Sequence, residues 1–231
     1  MCLVGIFIAN SKPYIIKSLM LIDSNENATK SRITVGYKEG KGDKGISKTC
    51  SYCTLPKYSS NAALNVYMEL DQLRALIGEL LNPSLVDRLI GNGIRDKKLI
   101  CLLQWLINDS YSIGALIALG GNSKRHKFSQ ETLNQLEEYI RMNKELTGDC
   151  KDFLIHKGYI AKLDSVRVSI RRLEAFFNQA QVDMACSPEL ELCTSIINRL
   201  SSAIFWAIRK EYKLRGMKES YWTGNRTELI F

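Results

Sequence analysis

The sequence contains very little histidine from which a metal centre could be built. Only His126 and His156 occur among its 231 residues, so a histidine-rich metal centre is excluded. Cysteine is more common, but the odd total of seven and the length of the chain favour reduced thiols in a cytosol-like compartment. Cys50 and Cys53 form a C-x-x-C pair, which no second pair or nearby histidine completes as a zinc site.

The sequence also lacks an uninterrupted apolar run of about 20 residues, so we do not expect a transmembrane helix. Its apolar start, CLVGIFIAN, lacks the preceding positive charge of a signal peptide, and residues 1–30 lack the arginine of a transit peptide. We therefore expect residues 1–30 to be an extension and residues 31–231 to form one domain. The expected location is the cytoplasm, or the mitochondrial matrix if the protein is eukaryotic.

The overall composition is that of an ordinary globular protein with a basic surface. Hydrophobic residues make up 45% of the chain and charged residues 24%. The formal net charge of +8 favours anionic ligands, which could be nucleotides, nucleic acid or acidic surfaces.

Apolar residues recur at helical spacing over most of the chain after residue 59. This periodicity, with proline and glycine at the ends, predicts five helices with these approximate bounds: Ser60–Leu81, Asp96–Leu119, Ser129–Leu146, Tyr159–Gln181 and Pro188–Leu214. Long amphipathic helices joined by short loops are typical of an all-α, up-and-down bundle with ferritin-like topology. Residues 31–58 are instead strand-like and loop-like.

The segment EGKGDKGIS, from Glu39 to Ser47, matches two nucleotide-binding fingerprints by its glycines. Neither fits its context. A dinucleotide fold requires alternating strands and helices after the loop, and Ile46 stands where a P-loop requires lysine. Backbone N–H groups of a glycine-rich basic loop can still bind an anion, and a surface hairpin is the alternative.

The predicted fourth helix carries Arg167, Arg171 and Glu174 at spacings of four and three, which places them on one face. Two arginines one turn apart repel each other, so an anionic group should compensate. Asp164 and Glu174 could do so within the helix, or the face could hold a polyphosphate, with Glu174 binding a metal ion or a hydroxyl. Two further polar residues lie among apolar neighbours and would be costly to bury without partners: Asp71 and Asn198.

Six segments, in order, resemble motifs of one enzyme family. The segment Gly42–Gly45 resembles the second half of a T-[RK]-T-G-D-[DK]-G loop, and Glu219–Trp222 resembles a closing E-x-x-W. Four predicted helical segments that lie between these two also resemble motifs of the family: LDQLRALIG, LQWLINDSYSIGALIA, VRVSIRRLEA and INRLSS. Over residues 31–222, the chain resembles the propanediol-utilisation type of ATP:corrinoid adenosyltransferase.

This resemblance implies a five-helix bundle that assembles as a homotrimer and binds ATP and cobalamin between adjacent subunits. The cobalt of cob(I)alamin would attack the ribose C5′ of ATP, giving adenosylcobalamin and triphosphate. The protein would then act by positioning and charge neutralisation, because the nucleophile belongs to the corrinoid. Mg²⁺ would accompany ATP, and a corrinoid reductase or a B12-dependent acceptor enzyme would be a partner. Neither nucleic acid nor a membrane is expected as a partner.

The resemblance also implies roles for residues at the nucleotide. The loop of Gly42, Asp43, Lys44 and Gly45 would wrap the triphosphate. Arg171 would contact phosphate as a catalytic residue, and Glu174, also catalytic, would contact the nucleotide or Mg²⁺. Asn198 would hold the nucleotide in its pocket.

Further roles are implied at the corrin and at the subunit interface. Phe153, in DFLIHKG, would lie under the corrin ring as a catalytic residue. Its apolar ring would exclude the lower axial ligand, and four-coordinate cob(II)alamin is easier to reduce. Arg167 would pair with Asp71 of the partner subunit.

The chain departs from the family pattern at several places. Glu39–Lys41 replaces T-[RK]-T, Gln72 and Arg74 replace Glu and Asn, and His156–Gly158 replaces P-G-G in a shorter loop. The glycine-rich segment after the first loop is also poorly kept. One alternative is therefore a degenerate member that binds ATP or corrinoid without turnover. A second alternative is a basic helical bundle that binds nucleic acid, which predicts an exposed stripe of basic residues with stacking aromatics. The position of Glu174 beside the arginines speaks against this second alternative, because a carboxylate repels phosphate unless a cation lies between them.

Overall fold

The computed structural model describes residues 46–48, 54–56, 62–84, 87, 91–121, 128–182, 184 and 187–222. The predicted extension at 1–30, the glycine loop at 42–45 and the C-x-x-C pair lie outside the described residues, and their roles stay predictions.

Five long helices form the described part of the chain, as the periodicity predicts. They are α1 (Ala62–Leu81), α2 (Lys97–Ala118), α3 (Gln130–Thr147), α4 (Gly158–Gln181) and α5 (Pro188–Leu214). Two short strands, β1 (Ile46–Lys48) and β2 (Thr54–Pro56), precede them and pair antiparallel, with Ile46 opposite Pro56. The predicted all-α helical bundle is confirmed.

Three of the helices begin at a side chain that accepts a hydrogen bond from the first turn. Asp96 caps α2 by accepting from the amide of Lys98, and Ser129 caps α3 by accepting from the amide of Thr132. Ser187 caps α5, where Pro188 occupies the first turn. Such caps satisfy amides that have no partner inside the helix, and they explain why the helix starts could be predicted closely from sequence.

The core is built from one apolar stripe on each helix. Helix α4 packs against α1 and α5, α5 also packs against α3, and α1 also packs against α2. The largest fully buried side chains come mainly from α1, α2 and α4, and include Phe177, Leu70, Leu73, Leu103, Leu106 and Leu163. Because α4 lies between α1 and α5, its remaining polar face is fixed in position by two neighbours.

Helix α2 is long and apolar enough, by length and composition alone, to cross a membrane. The expectation that no segment resembles an apolar span was therefore too broad. Core helices of globular proteins meet the same criterion, and Leu99, Leu103 and Leu106 of α2 are buried within the bundle. That the protein has no membrane partner stays a prediction.

Candidate active site

Two of the predicted nucleotide residues meet where α4 packs on α5. The side-chain amide Nδ2 of Asn198 donates to Oε1 of Glu174 at 2.6 Å, and its Oδ1 accepts from Nη1 of Arg199 at 2.9 Å. Both Glu174 and Asn198 are half-buried. The partners on each side of the amide offset the cost of burying it, and the amide fixes the direction of the carboxylate.

Arg171 lies one turn before Glu174 on α4, about 4.5 Å along the helix axis at 1.5 Å per residue. Its side chain is exposed, and none of the described residues forms a hydrogen bond or an ion pair with it. The next residue, Arg172, differs because its Nη2 donates to Oε1 of the buried Glu69 at 3.0 Å. A guanidinium without a partner among the described residues is suited to binding a phosphate group, and a carboxylate beside it can hold a cation that accompanies the phosphate.

Arg167 has a partner within its own helix. Its Nε donates to Oδ1 of Asp164 at 2.6 Å, so the repulsion between Arg167 and Arg171 is compensated in part by the carboxylate that the spacing suggested. The polyphosphate interpretation of this face therefore applies to Arg171 rather than to Arg167.

Asp71 lies on α1 with a side chain that is 74% exposed and paired with Arg74. Arg74 also donates to Oγ of Ser110 at 3.0 Å, and its guanidinium carbon lies 4.4 Å from the ring centroid of Tyr111. The structure does not bring Asp71 and Arg167 together within one chain. Their pairing between subunits stays a prediction.

Phe153 is 77% exposed, so it is not part of the hydrophobic core. The Phe153 segment, residues 152–156, is held through its backbone by the closing segment, residues 219–222. The amide of Trp222 donates to the carbonyl of Phe153 at 2.8 Å, and the amide of Ile155 donates to the carbonyl of Ser220 at 2.8 Å. The aromatic ring is therefore presented to solvent by a fixed backbone.

The closing segment is anchored by a buried arginine that the sequence analysis missed. Arg209 is 2% exposed and donates to Glu219 through Nε at 2.7 Å and Nη2 at 3.1 Å. Its Nη1 donates to the carbonyl of Gly148 at 2.6 Å, and the hydroxyl of Tyr221 donates to Glu219. Burial alone would raise the pKa of Glu219, but these hydrogen bonds outweigh it and hold that pKa below its ordinary value. A lone arginine in the apolar stripe of α5 was the available signal.

A cavity of about 400 Å³ opens beside the Phe153 segment. It brings the predicted corrin residue Phe153 and the predicted interface residue Arg167 to one place. Its lining residues are Cys150, Lys151, Asp152, Phe153, Leu154, His156, Arg167 and Phe205. An apolar ring and a cation thus share one concave surface.

Within the described ranges, no group of three or more histidine, cysteine, aspartate or glutamate side chains could hold a metal ion. This is compatible with Mg²⁺ that arrives with a nucleotide, because such ions are usually held by one or two carboxylates together with phosphate oxygens. Glu174, close to the free Arg171, fits the role of that single carboxylate.

Comparison with known proteins adds the family. The model of the cobalamin adenosyltransferase family matches residues 38–211, well over half of the chain. The chain belongs to this family. The match confirms the resemblance seen in the motifs and, with it, the prediction of an adenosyltransferase enzyme. No curated protein sequence matches this adenosyltransferase significantly.

Solved structures of the PduO-type ATP:corrinoid adenosyltransferase from Lactobacillus reuteri share the fold. A phenylalanine-to-alanine variant, complexed with cobalamin and ATP, has a TM-score of 0.65 and 21% identity, covering 79% of this chain and 97% of its own. A phenylalanine-to-histidine variant with the same ligands has a TM-score of 0.63 and 22% identity, covering 80% and 95%. An arginine-to-lysine variant complexed with ATP has a TM-score of 0.60 and 20% identity, covering 78% and 96%.

Proposed function

We propose that this protein transfers the 5′-deoxyadenosyl group of ATP to cob(I)alamin, giving adenosylcobalamin and triphosphate. The observation that carries the proposal is the guanidinium of Arg171, which has no partner among the described residues and lies one turn before the Glu174–Asn198 pair, in a chain of the cobalamin adenosyltransferase family. The structurally similar Lactobacillus reuteri proteins bind ATP and cobalamin, which supports these two substrates. No observation on the described residues favours a member without turnover.

At the nucleotide, the protein would neutralise charge rather than supply a nucleophile. Arg171 would bind the triphosphate, whose negative charge increases as the bond from C5′ to oxygen breaks, and a fixed cation there stabilises the transition state. Glu174, oriented by Asn198, would contact the nucleotide or the Mg²⁺ bound to it, and Mg²⁺ would neutralise phosphate charge. The loop from Gly42 to Gly45 would add backbone N–H donors.

At the corrinoid, Phe153 would supply an apolar surface where the lower axial ligand would otherwise bind. The ring is free to do so because it is exposed, and its backbone is fixed by the closing segment. A large exposed aromatic residue at the rim of a cavity usually marks a surface that a ligand or a partner covers. Excluding the axial ligand leaves four-coordinate cob(II)alamin, which is easier to reduce to the reactive cob(I) state.

We further propose a homotrimer in which Arg167 contacts Asp71 of the partner subunit. Asp71 is exposed on α1, and Met68, one turn earlier on the same helix, is an exposed apolar residue, as an interface requires. Asp71→Ala should shift the mass distribution in solution from trimer towards monomer. Glu79→Ala is the matched control, because Glu79 is also exposed on α1 and its partner Lys162 belongs to the same chain. An unchanged trimer in Asp71→Ala would contradict this contact.

A reductase that supplies cob(I)alamin, or a B12-dependent enzyme that accepts the product, would complete the assignment. We also propose the cytoplasm as the location, or the mitochondrial matrix if the protein is eukaryotic, because an odd number of cysteines favours a reducing compartment.

The activity is tested by mixing the protein with ATP, Mg²⁺ and chemically reduced cobalamin and following the absorbance of the corrinoid. Conversion to adenosylcobalamin that requires ATP is the expected result. A perturbed cob(II)alamin spectrum without product would identify a binding protein that lacks turnover. No effect on the corrinoid spectrum would contradict both assignments.

A further inference from the structure

His156 connects the Phe153 segment to two helices. Its Nδ1 lies 3.2 Å from the hydroxyl oxygen of Tyr212 on α5, and its Nε2 lies 3.8 Å from Oδ1 of Asp164 on α4. The side chain is only 7% exposed, yet it lines the same cavity as Phe153 and Arg167. It also stands where the sequence departs from the P-G-G of the family pattern.

The carboxylate of Asp164 has two possible cationic partners. Arg167 donates to its Oδ1 at 2.6 Å, and the imidazole approaches the same oxygen at 3.8 Å. A neutral imidazole leaves that oxygen to Arg167, whereas an imidazolium attracts it. The charge of His156 therefore decides how firmly Arg167 is held at the edge of the cavity.

We propose that His156 is a positioning residue whose neutral imidazole joins the Phe153 segment to Tyr212 of α5 and leaves Asp164 to Arg167. Protonation draws Asp164 towards the imidazolium and away from Arg167, which loosens the cation at the edge of the cavity and weakens the binding of the corrinoid. The inference rests on the proposed function, because it assigns the corrinoid to the cavity beside Phe153.

The surrounding groups set the protonation state of His156. Burial is the largest influence and lowers the pKa of the imidazole. Asp164 on α4 and Glu219 on the closing segment act in the opposite direction, and Arg167 lowers the pKa further. From α5, the ring faces the hydroxyl of Tyr212. The balance places the pKa below the ordinary value of 6.5, so His156 is neutral at neutral pH and gains its proton as the pH falls.

The test measures KM for chemically reduced cobalamin and for ATP between about pH 5.5 and 8, in the wild type and in His156→Gln. In the wild type, KM for cobalamin should rise as the pH falls through the pKa of His156, by at most about tenfold per pH unit for one proton. KM for ATP should not follow this curve. His156→Gln keeps a hydrogen-bonding side chain that cannot gain a proton, so KM for cobalamin in this variant should not follow the same curve. The ratio of the variant's KM for cobalamin to that of the wild type should therefore change across this pH range.

Tyr212→Phe provides a second variant that keeps the ring and removes only the hydroxyl. Because Nε2 faces the carboxylate of Asp164, we expect the proton of the neutral imidazole on Nε2, so that Nδ1 accepts from the hydroxyl of Tyr212. Losing a donor to the neutral imidazole should move the midpoint of the KM curve to higher pH. Thermal unfolding of each protein at each pH separates positioning from stability. A KM curve that changes in parallel with the unfolding temperature, or that is the same in wild type and His156→Gln, would overturn the proposal.

Binding of cob(II)alamin, followed by its absorbance over the same pH range, separates this inference from the proposed function. A protein that shows no turnover but binds cob(II)alamin with a pH dependence removed by His156→Gln would refute the activity and support the role of His156. Absence of any cobalamin binding would overturn both.

Discussion

Charged and polar side chains cluster at two contrasting places in the bundle. In the paired cluster, hydrogen bonds and ion pairs join Asp96, Tyr139, Lys210, Glu211 and Arg215; Tyr139 and Lys210 both contact the carboxylate of Asp96. The α4 face consists of Arg171, Glu174 and Asn198. In the paired cluster, Oε1 of Glu211 accepts from the amides of Arg95 and Asp96 at 2.8 and 2.7 Å, and Oε2 accepts from Arg215 at 3.2 Å. On the α4 face, Arg171 has no partner among the described residues.

The difference separates charges that hold the fold from charges that are available to a ligand. Glu211 is fully buried, and a buried carboxylate requires all its partners, because losing one leaves an uncompensated charge in a medium of low polarity. Arg171 is exposed and hydrated, so its lack of a partner costs the free protein little. Removing a charged side chain should therefore reduce stability in the paired cluster, whereas on the α4 face it should reduce the binding or turnover of a ligand.

The largest effect on stability is expected for Glu211→Ala. It leaves the backbone amides of Arg95 and Asp96 and the guanidinium of Arg215 without their acceptor, which should lower the free energy of unfolding by about 3–5 kcal/mol. The measurement is the urea midpoint at neutral pH. Glu145→Ala is the control, because the exposed Glu145–Arg141 pair should contribute less than about 1 kcal/mol. Equal effects of the two changes would show that burial does not decide how much a paired carboxylate contributes to stability.

Glu219→Gln should have an intermediate effect, about 1–3 kcal/mol, because it removes the charge that accepts two hydrogen bonds from Arg209. The folded pKa of Glu219 is lowered, so its contribution is present above the unfolded pKa and is lost as the pH falls through the folded pKa. Unfolding free energies measured across the acid range should therefore converge for wild type and variant. A constant difference at all pH values would contradict the role of the charge.

Phe153→Ala should have the smallest effect on stability, within about 0.5 kcal/mol, because the ring is mostly exposed. Phe177→Ala is the control on the buried side of α4 and should cost about 3–5 kcal/mol. Urea unfolding checks both variants, and the absorbance of bound cob(II)alamin checks whether Phe153→Ala changes axial ligation. A large loss of stability in Phe153→Ala would show that Phe153 stabilises the fold rather than being available to a ligand.

The helices could be predicted from sequence because their signals are local. Apolar spacing defines each stripe, and Ser129 and Pro188 mark helix starts within a residue or two of the observed bounds. The local partner of Arg167 was also available, because Asp164 lies three residues earlier on the same helix. What could not be predicted depends on packing between distant segments. Arg209 appears in the sequence as an unexplained charge until the turn after α5 brings Glu219 beside it.

The sequence predicted which residues belong to the site, but it did not predict the hydrogen-bond partner of each residue. The sequence placed Glu174 and Asn198 on different helices, and only the packing of α4 on α5 shows that they form a hydrogen bond. Likewise, sequence alone does not show which of Arg171 and Arg172 has a partner. Their difference arises because α1 presents the buried Glu69 to Arg172 alone.

The nucleotide site on the α4 face is tested most directly at these two neighbouring arginines. The measurement is adenosylation turnover in Arg171→Ala and Arg172→Ala under identical conditions. Arg171→Ala should lose about 100-fold or more in kcat/KM while its unfolding free energy stays within about 0.5 kcal/mol of the wild type. Arg172→Ala should keep its turnover and lose about 1–3 kcal/mol of stability, because Glu69 loses its cation. Full turnover in Arg171→Ala, or an equal loss of turnover in both variants, would contradict the assignment of the α4 face as the nucleotide site.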